Sequence, residues 1–138
     1  MRVKLLAIAL YESNGHQRRM EKIRYPRWLD IEASIRRLDQ YQLPFIWLLN
    51  SVDATEDASP DFNVIGGKGL YAFDCRAEGR EYRHCNPLGG DQEITIWRSD
   101  QGWDCAEKYV CTTLDIVLQA AEYFCAHGTP DPTLPWEE

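Results

Sequence analysis

Proton transfer, nucleophilic attack and metal binding need a few side-chain types brought together, and this chain offers three histidines, His16, His84 and His127, with five cysteines, Cys75, Cys85, Cys105, Cys111 and Cys125. A hydrolytic or deaminating zinc site takes three converging protein ligands and an open position, which in sequence reads as H-x-E followed by C-x-x-C. Neither pattern occurs. An odd number of cysteines without a C-x-x-C pair fits neither a disulfide framework nor a zinc ribbon, so free, buried thiols are expected. Cys85 and His84 are adjacent on a strand pattern, and strand neighbours point to opposite faces, so they do not make a nucleophile and its base. Gly66-Gly67-Lys68-Gly69 lacks the spacing of a phosphate loop and leads into a strand pattern, with no helix N-terminus to meet a phosphate. The pairs Glu56-Asp57 and Glu137-Glu138 fall in loop and tail, where little desolvates a carboxyl into a general acid. His127 suits a helix C-terminus. The reading is therefore of no catalytic residue, no metal ligand and no cofactor site. A small enzyme assembled from scattered residues such as His84, Asp74 and Glu93 stands as one alternative, and a protein-binding adaptor as another.

Residues suited to recognition are easier to find. The 138 residues carry a formal net charge of −7, a field that repels nucleic-acid phosphates and anionic lipids. The balance is uneven, +4 over residues 1–50 and −11 over 51–138. A basic protein partner is one reading of that asymmetry; an acidic surface that only keeps the protein dissolved is the other. Candidate contacts are Asp53, Glu56, Asp57 and Asp61, in a loop with acids and no base, and Asp100, Trp103 and Asp104, where an aromatic anchor has acidic flanks. A loop tryptophan can equally serve to cover the end of a sheet.

The elements that must hold these residues follow from periodicity. Residues 3–10 form an apolar strand bounded by a polar loop from Glu12 to Lys22, whose Asn14-Gly15 and several charges suit a hairpin or an exposed excursion after the strand. The opening Met1-Arg2-Val3-Lys4 and its apolar run resemble a signal peptide but lack a small-residue cleavage site. With no apolar stretch near the roughly 20 residues of a membrane span, a cytoplasmic protein is expected. Trp28, Ile31, Ile35 and Leu38 recur at helical spacing and predict a helix over 26–40. Residues 45–49 read as a central strand, and 62–65 with 70–73 as a hairpin reversing at the glycines. Residues 81–85 and 93–98 alternate at period two on either side of a turn, and 99–104 supply another turn. Leu114, Val117, Ala121 and Phe124 mark a second helix, capped at Thr112 or Thr113 and ended by Gly128. The tail is too short to fold alone, and Trp136 can tuck back. Composition, at 44% hydrophobic and 27% charged, excludes disorder. One α+β domain over 1–138, a mostly antiparallel sheet packed with two main helices, is the economical architecture.

In order and spacing the chain resembles the first-numbered family of immunity proteins of bacterial polymorphic toxin systems. The likeness is carried by Ile65-Gly66-Gly67 with Leu70-Tyr71, and by the C-terminal run Ala120-Ala121, Tyr123-Phe124, Gly128, Pro130 and Pro135-Trp136. The resemblance implies a cytoplasmic antitoxin without catalytic residues. Its partner would be a cognate toxin domain encoded beside this gene, with nucleic-acid deaminases prominent in that class; the acidic C-terminal two-thirds of this chain adds the expectation of a 1:1 heterodimer that occludes a basic substrate face.

Overall fold

The apolar run near the N-terminus is β1 (Leu5–Tyr11), and all but one of its residues are buried. A strand apolar on both faces must be covered on both sides, and this requirement sets the layering. The computed structural model describes residues 1–53 and 59–138. In chain order β1 is followed by β2 (Gln17–Arg24), α1 (Trp28–Arg36), β3 (Phe45–Leu49), β4 (Phe62–Gly67), β5 (Leu70–Ala77) and β6 (Arg80–His84). Then come β7 (Glu93–Trp97), β8 (Trp103–Ala106), α2 (Leu114–His127) and β9 (Trp136–Glu137). The main sheet has seven strands in the order β2-β1-β3-β4-β5-β6-β9, every pair antiparallel, and β7 and β8 form a separate two-stranded ribbon. The fold is α+β.

Side chains alternate across the sheet. One face, with Leu6, Ile8, Ile46, Leu48, Phe62, Val64 and Phe73, packs against Ile31 and Ile35 of α1 and Val117, Ala121 and Phe124 of α2. Phe62 is the hub, its ring 6.1 Å from Phe73 and 5.3 Å from Phe124. On the opposite face Ala72, Ile65 and Leu70 meet Ile96, Cys105 and Trp103 from the ribbon, while Ala9, Tyr11 and Phe45 meet Trp97.

Several boundaries differ from the expectation. Of the two expectations for the polar stretch after β1, the structure takes the hairpin: it contains β2, antiparallel to β1, an edge strand whose charged residues suit an exposed edge better than apolar ones. The first helix ends at Arg36 instead of 40, because Asp39 accepts bonds from the N–H groups of Tyr41 and Leu43 and turns the chain toward β3. The strands around 81–85 and 93–98 belong to different sheets, and part of the supposed turn at 99–104 is the start of β8. The reversal between β4 and β5 lies at Lys68-Gly69, both at positive φ. Gly66 and Gly67 end β4, where a Cβ on Gly67 would collide with the carbonyl group of Leu38. Glycine there permits close backbone approach. Thr113 is the N-cap of α2 without a side-chain bond, and Gly128 closes the helix at φ 72°.

The C-terminal segment does tuck back. The Trp136 indole N–H donates to the Asp131 carbonyl at 2.8 Å, and Trp136 pairs with His84 at the sheet edge.

Candidate functional site

The ribbon β7–β8 is built as a presenting element. Ile96 and Cys105 point at the main sheet and are buried, while Glu93, Thr95 and Asp104 point outward. Its turn is fastened at three points: the Ser99 hydroxyl donates to the Tyr41 carbonyl at 2.6 Å, the Asp100 N–H to the Gly15 carbonyl at 2.8 Å, and the Gly102 N–H to the Ser99 carbonyl at 2.9 Å. Ser99 also accepts the Trp97 indole N–H at 2.9 Å. Residues 91–108 hold five acids, Asp91, Glu93, Asp100, Asp104 and Glu107, against Arg98 and Lys108, and all five acids are exposed. Lys108 pairs with Asp91 at 3.2 Å, and no ion pair among the described residues engages Glu93, Asp100 or Asp104.

Trp103 stands half-buried at a ridge between two clefts. One, of ≈ 490 Å³, opens over the ribbon and is lined by Trp97, Asp100 and Asp104 among others. The other, of ≈ 600 Å³, opens over β4, β5 and β6, and its lining includes Asn63, Asp74, Arg76, Glu81 and Arg83. Asp74 and Arg83 are cross-strand partners, yet the Arg83 guanidinium lies 3.6 Å from the centre of the Tyr109 ring, a cation–π contact. Asp74 receives one long bond, 3.4 Å, from the Asn63 side-chain amide. Burial pushes the Asp74 carboxyl above its ordinary pKa, against the pull of that bond and of Arg83.

Of the residues singled out from the sequence, Asp100, Trp103 and Asp104 come together. Asp53 is exposed elsewhere, its N–H bonded to the Ser51 hydroxyl. Asp61 is half-buried, and its carboxylate accepts the Asn50 N–H at 2.8 Å, closing the loop at its own base. Glu56 and Asp57 lie outside the described residues. Sequence reasoning does not single out Arg83, Asn63 or Tyr109; Arg83 sits in a readable alternating strand, but its meeting with Tyr109 depends on the short helical turn Glu107–Tyr109 that ends the ribbon.

No family model and no curated protein matches the chain.

The scattered set His84, Asp74 and Glu93 is not assembled. Arg83 shares the open face with Asp74, so its neighbour His84 points to the helix-covered face, where it stacks on Phe73 with centroids 4.4 Å apart. Glu93 is exposed on the ribbon. All five cysteines are free. Burial pushes the thiols of Cys75 and Cys125 up to about 12 and raises those of Cys105 and Cys111, which is the opposite of nucleophile activation. Among the described residues no group of three or more His, Cys, Asp or Glu could hold a metal, and no helix is long and apolar enough to cross a membrane.

Proposed function

We propose that this protein is a stoichiometric inhibitor of the immunity class, which binds a basic toxin domain and covers its substrate face. The observation that carries the reading is the ribbon: Glu93, Asp100 and Asp104 exposed and unpaired within the described residues, with Trp103 between two clefts. Acids on a fastened turn give up little conformational freedom on binding, and a concentrated negative field speeds encounter with a basic partner. A half-buried indole at the centre is the type of residue that anchors an interface. The resemblance supplies the partner class, a toxin acting on nucleic acid, with a deaminase as its leading member. The contact falls on Asp100, Trp103 and Asp104 in preference to the carboxylate of Asp61, which is engaged by its own loop.

Two experiments bear on this reading. A tagged copy purified at low salt from its native host should carry a stoichiometric toxin fragment that is inactive in the complex; a solitary monomer from cells that express a toxin encoded beside this gene would sink it. With that partner in hand, Asp100→Lys combined with Asp104→Lys should slow association by about tenfold or more and flatten its dependence on salt. Unchanged kinetics would place the contact elsewhere.

A further inference from the structure

The larger cleft contains a polar contradiction at its floor. Most of its charges are already answered: Arg76 pairs with Glu81 at 3.5 Å, Glu138 with Arg80 at 3.4 Å, Glu137 accepts the Tyr109 hydroxyl at 3.0 Å, and Arg83 rests on the Tyr109 ring. Asp74 and Asn63 are left over. Among the described residues the Asn63 side-chain oxygen is buried without a hydrogen-bond partner, and the Asp74 carboxylate has only the 3.4 Å contact from the same amide. Two acceptors thus meet with too few donors where leaving one unsatisfied is costly, and because the Asn63 oxygen is closed off by the protein, the acceptor that the cleft presents is the Asp74 carboxylate. The Trp103 side chain forms a wall of the same cleft.

We infer that this cleft is a receptor for an arginine side chain of the bound partner. A guanidinium is planar, carries five donors and no acceptor, and can fork onto a carboxylate such as that of Asp74 while stacking on an indole. With Glu81 and Glu138 answered by Arg76 and Arg80, the lining leaves Asp74 and Glu137 against Arg83, a balance that still favours a cation. The desolvated state of Asp74 points the same way, since a carboxyl that burial disfavours as an anion gains most from an arriving positive donor. That the arginine belongs to a protein partner rests on the inhibitor reading; the chemistry of the cleft does not.

The test uses the isolated, isotope-labelled full chain and three probes: Nα-acetyl-arginine amide, its neutral isostere Nα-acetyl-citrulline amide, and the acidic Nα-acetyl-glutamate amide. The arginine probe should shift the Trp103 indole N–H and the Asn63 side-chain amide signals saturably, with a dissociation constant of roughly 1–10 mM. Citrulline should leave both in place. Asp74→Asn, nearly isosteric and checked for folding by its amide spectrum, should weaken arginine at least about tenfold. An equal response to citrulline, or a response to glutamate alone, would overturn the assignment, the second by making Arg83 the binding pole. Silence to all three up to about 50 mM, well beyond that affinity, would also overturn it. A toxin that binds a chain silent to arginine keeps the inhibitor reading and removes the pocket; arginine binding without any toxin does the reverse.

Discussion

Two residues outside the candidate site carry more structural weight than their types suggest. Asp131 is 4% exposed. Its carboxylate accepts the Gln119 amide at 2.9 Å, the Thr133 N–H at 2.9 Å and the Thr133 hydroxyl at 2.7 Å, which ties the tail to α2. Burial pushes this carboxyl up, but the bonds from Gln119 and Thr133, helped by His127, hold it below the ordinary carboxylate value. A lowered carboxyl stabilises the fold above its unfolded pKa, near 3.9, and that contribution disappears as pH falls through the folded value. Asp131→Ala should cost about 2 kcal/mol in urea unfolding at pH 7 and make acid unfolding below about pH 4 shallower. Equal midpoints would mean that the tail is held by Trp136 alone. His84 works in a different window. Its ring is buried against Phe73, its Nδ1 has no partner among the described residues, and burial lowers its pKa. The unfolded chain therefore takes up a proton near pH 6.5 that the folded chain refuses, and stability falls as pH drops through that value toward the folded one. His84→Phe should remain within about 1 kcal/mol of the parent at pH 8. It should lose less stability than the parent between pH 7 and 5; parallel pH profiles would refute the assignment.

At the scale of elements, legibility in the sequence follows the strength of the periodic signal. β1, β3 and both helices are amphipathic or apolar over enough residues to be read directly, and the residues expected to be buried in α1 and α2 are those that pack beneath the sheet. β2 is legible only as one of two options after Asn14-Gly15, a hairpin, and its bounds are not, because an exposed edge strand selects charge over alternation. β8 escapes such a reading because four residues beginning directly after a turn carry too little pattern. The glycines give a sharper case, since a positive φ and a close approach have the same sequence signature. Gly69 has φ 87° and open space where a Cβ would point, whereas at Gly67, φ 139°, a Cβ would collide with the Leu38 backbone. Gly69→Ala should thus cost about 1–2 kcal/mol from conformation alone. Gly67→Ala should cost at least about 3 kcal/mol, because the α1–β3 connection must move. Thermal unfolding of the two variants separates these roles, and equal losses would mean that the Gly67 backbone has room to give.

For the whole molecule, a charge asymmetry is legible in the sequence but its location is not. The fold puts exposed Arg19, Lys22 and Arg24 on the β2 edge and the uncommitted acids on the ribbon across the other face. No local pattern announces this, because β7–β8 reaches its position through long-range contacts such as the Arg98 N–H to the Gln40 carbonyl at 2.7 Å. The two faces are also unequal in apolar support. The helix-covered core gathers Phe62, Phe73, Phe124 and their aliphatic neighbours, while beneath the ribbon the buried cluster is Ala72, Ile96, Cys105 and Val110. Local opening free energy follows buried apolar contact. The ribbon should therefore open as a unit below the global unfolding free energy. In native-state hydrogen exchange at increasing denaturant, amides of β7 and β8 should exchange through an opening at least about 2 kcal/mol easier than that of β1, β3 and β4. A partner that binds across Trp103 should erase the difference, since it covers the ribbon and adds to it the apolar and ionic contacts it lacks alone. If the ribbon and the sheet already exchange together in the free protein, the fastened turn at Ser99 and Asp100 is enough to join them into one cooperative structure, and the contact surface is rigid before any partner arrives.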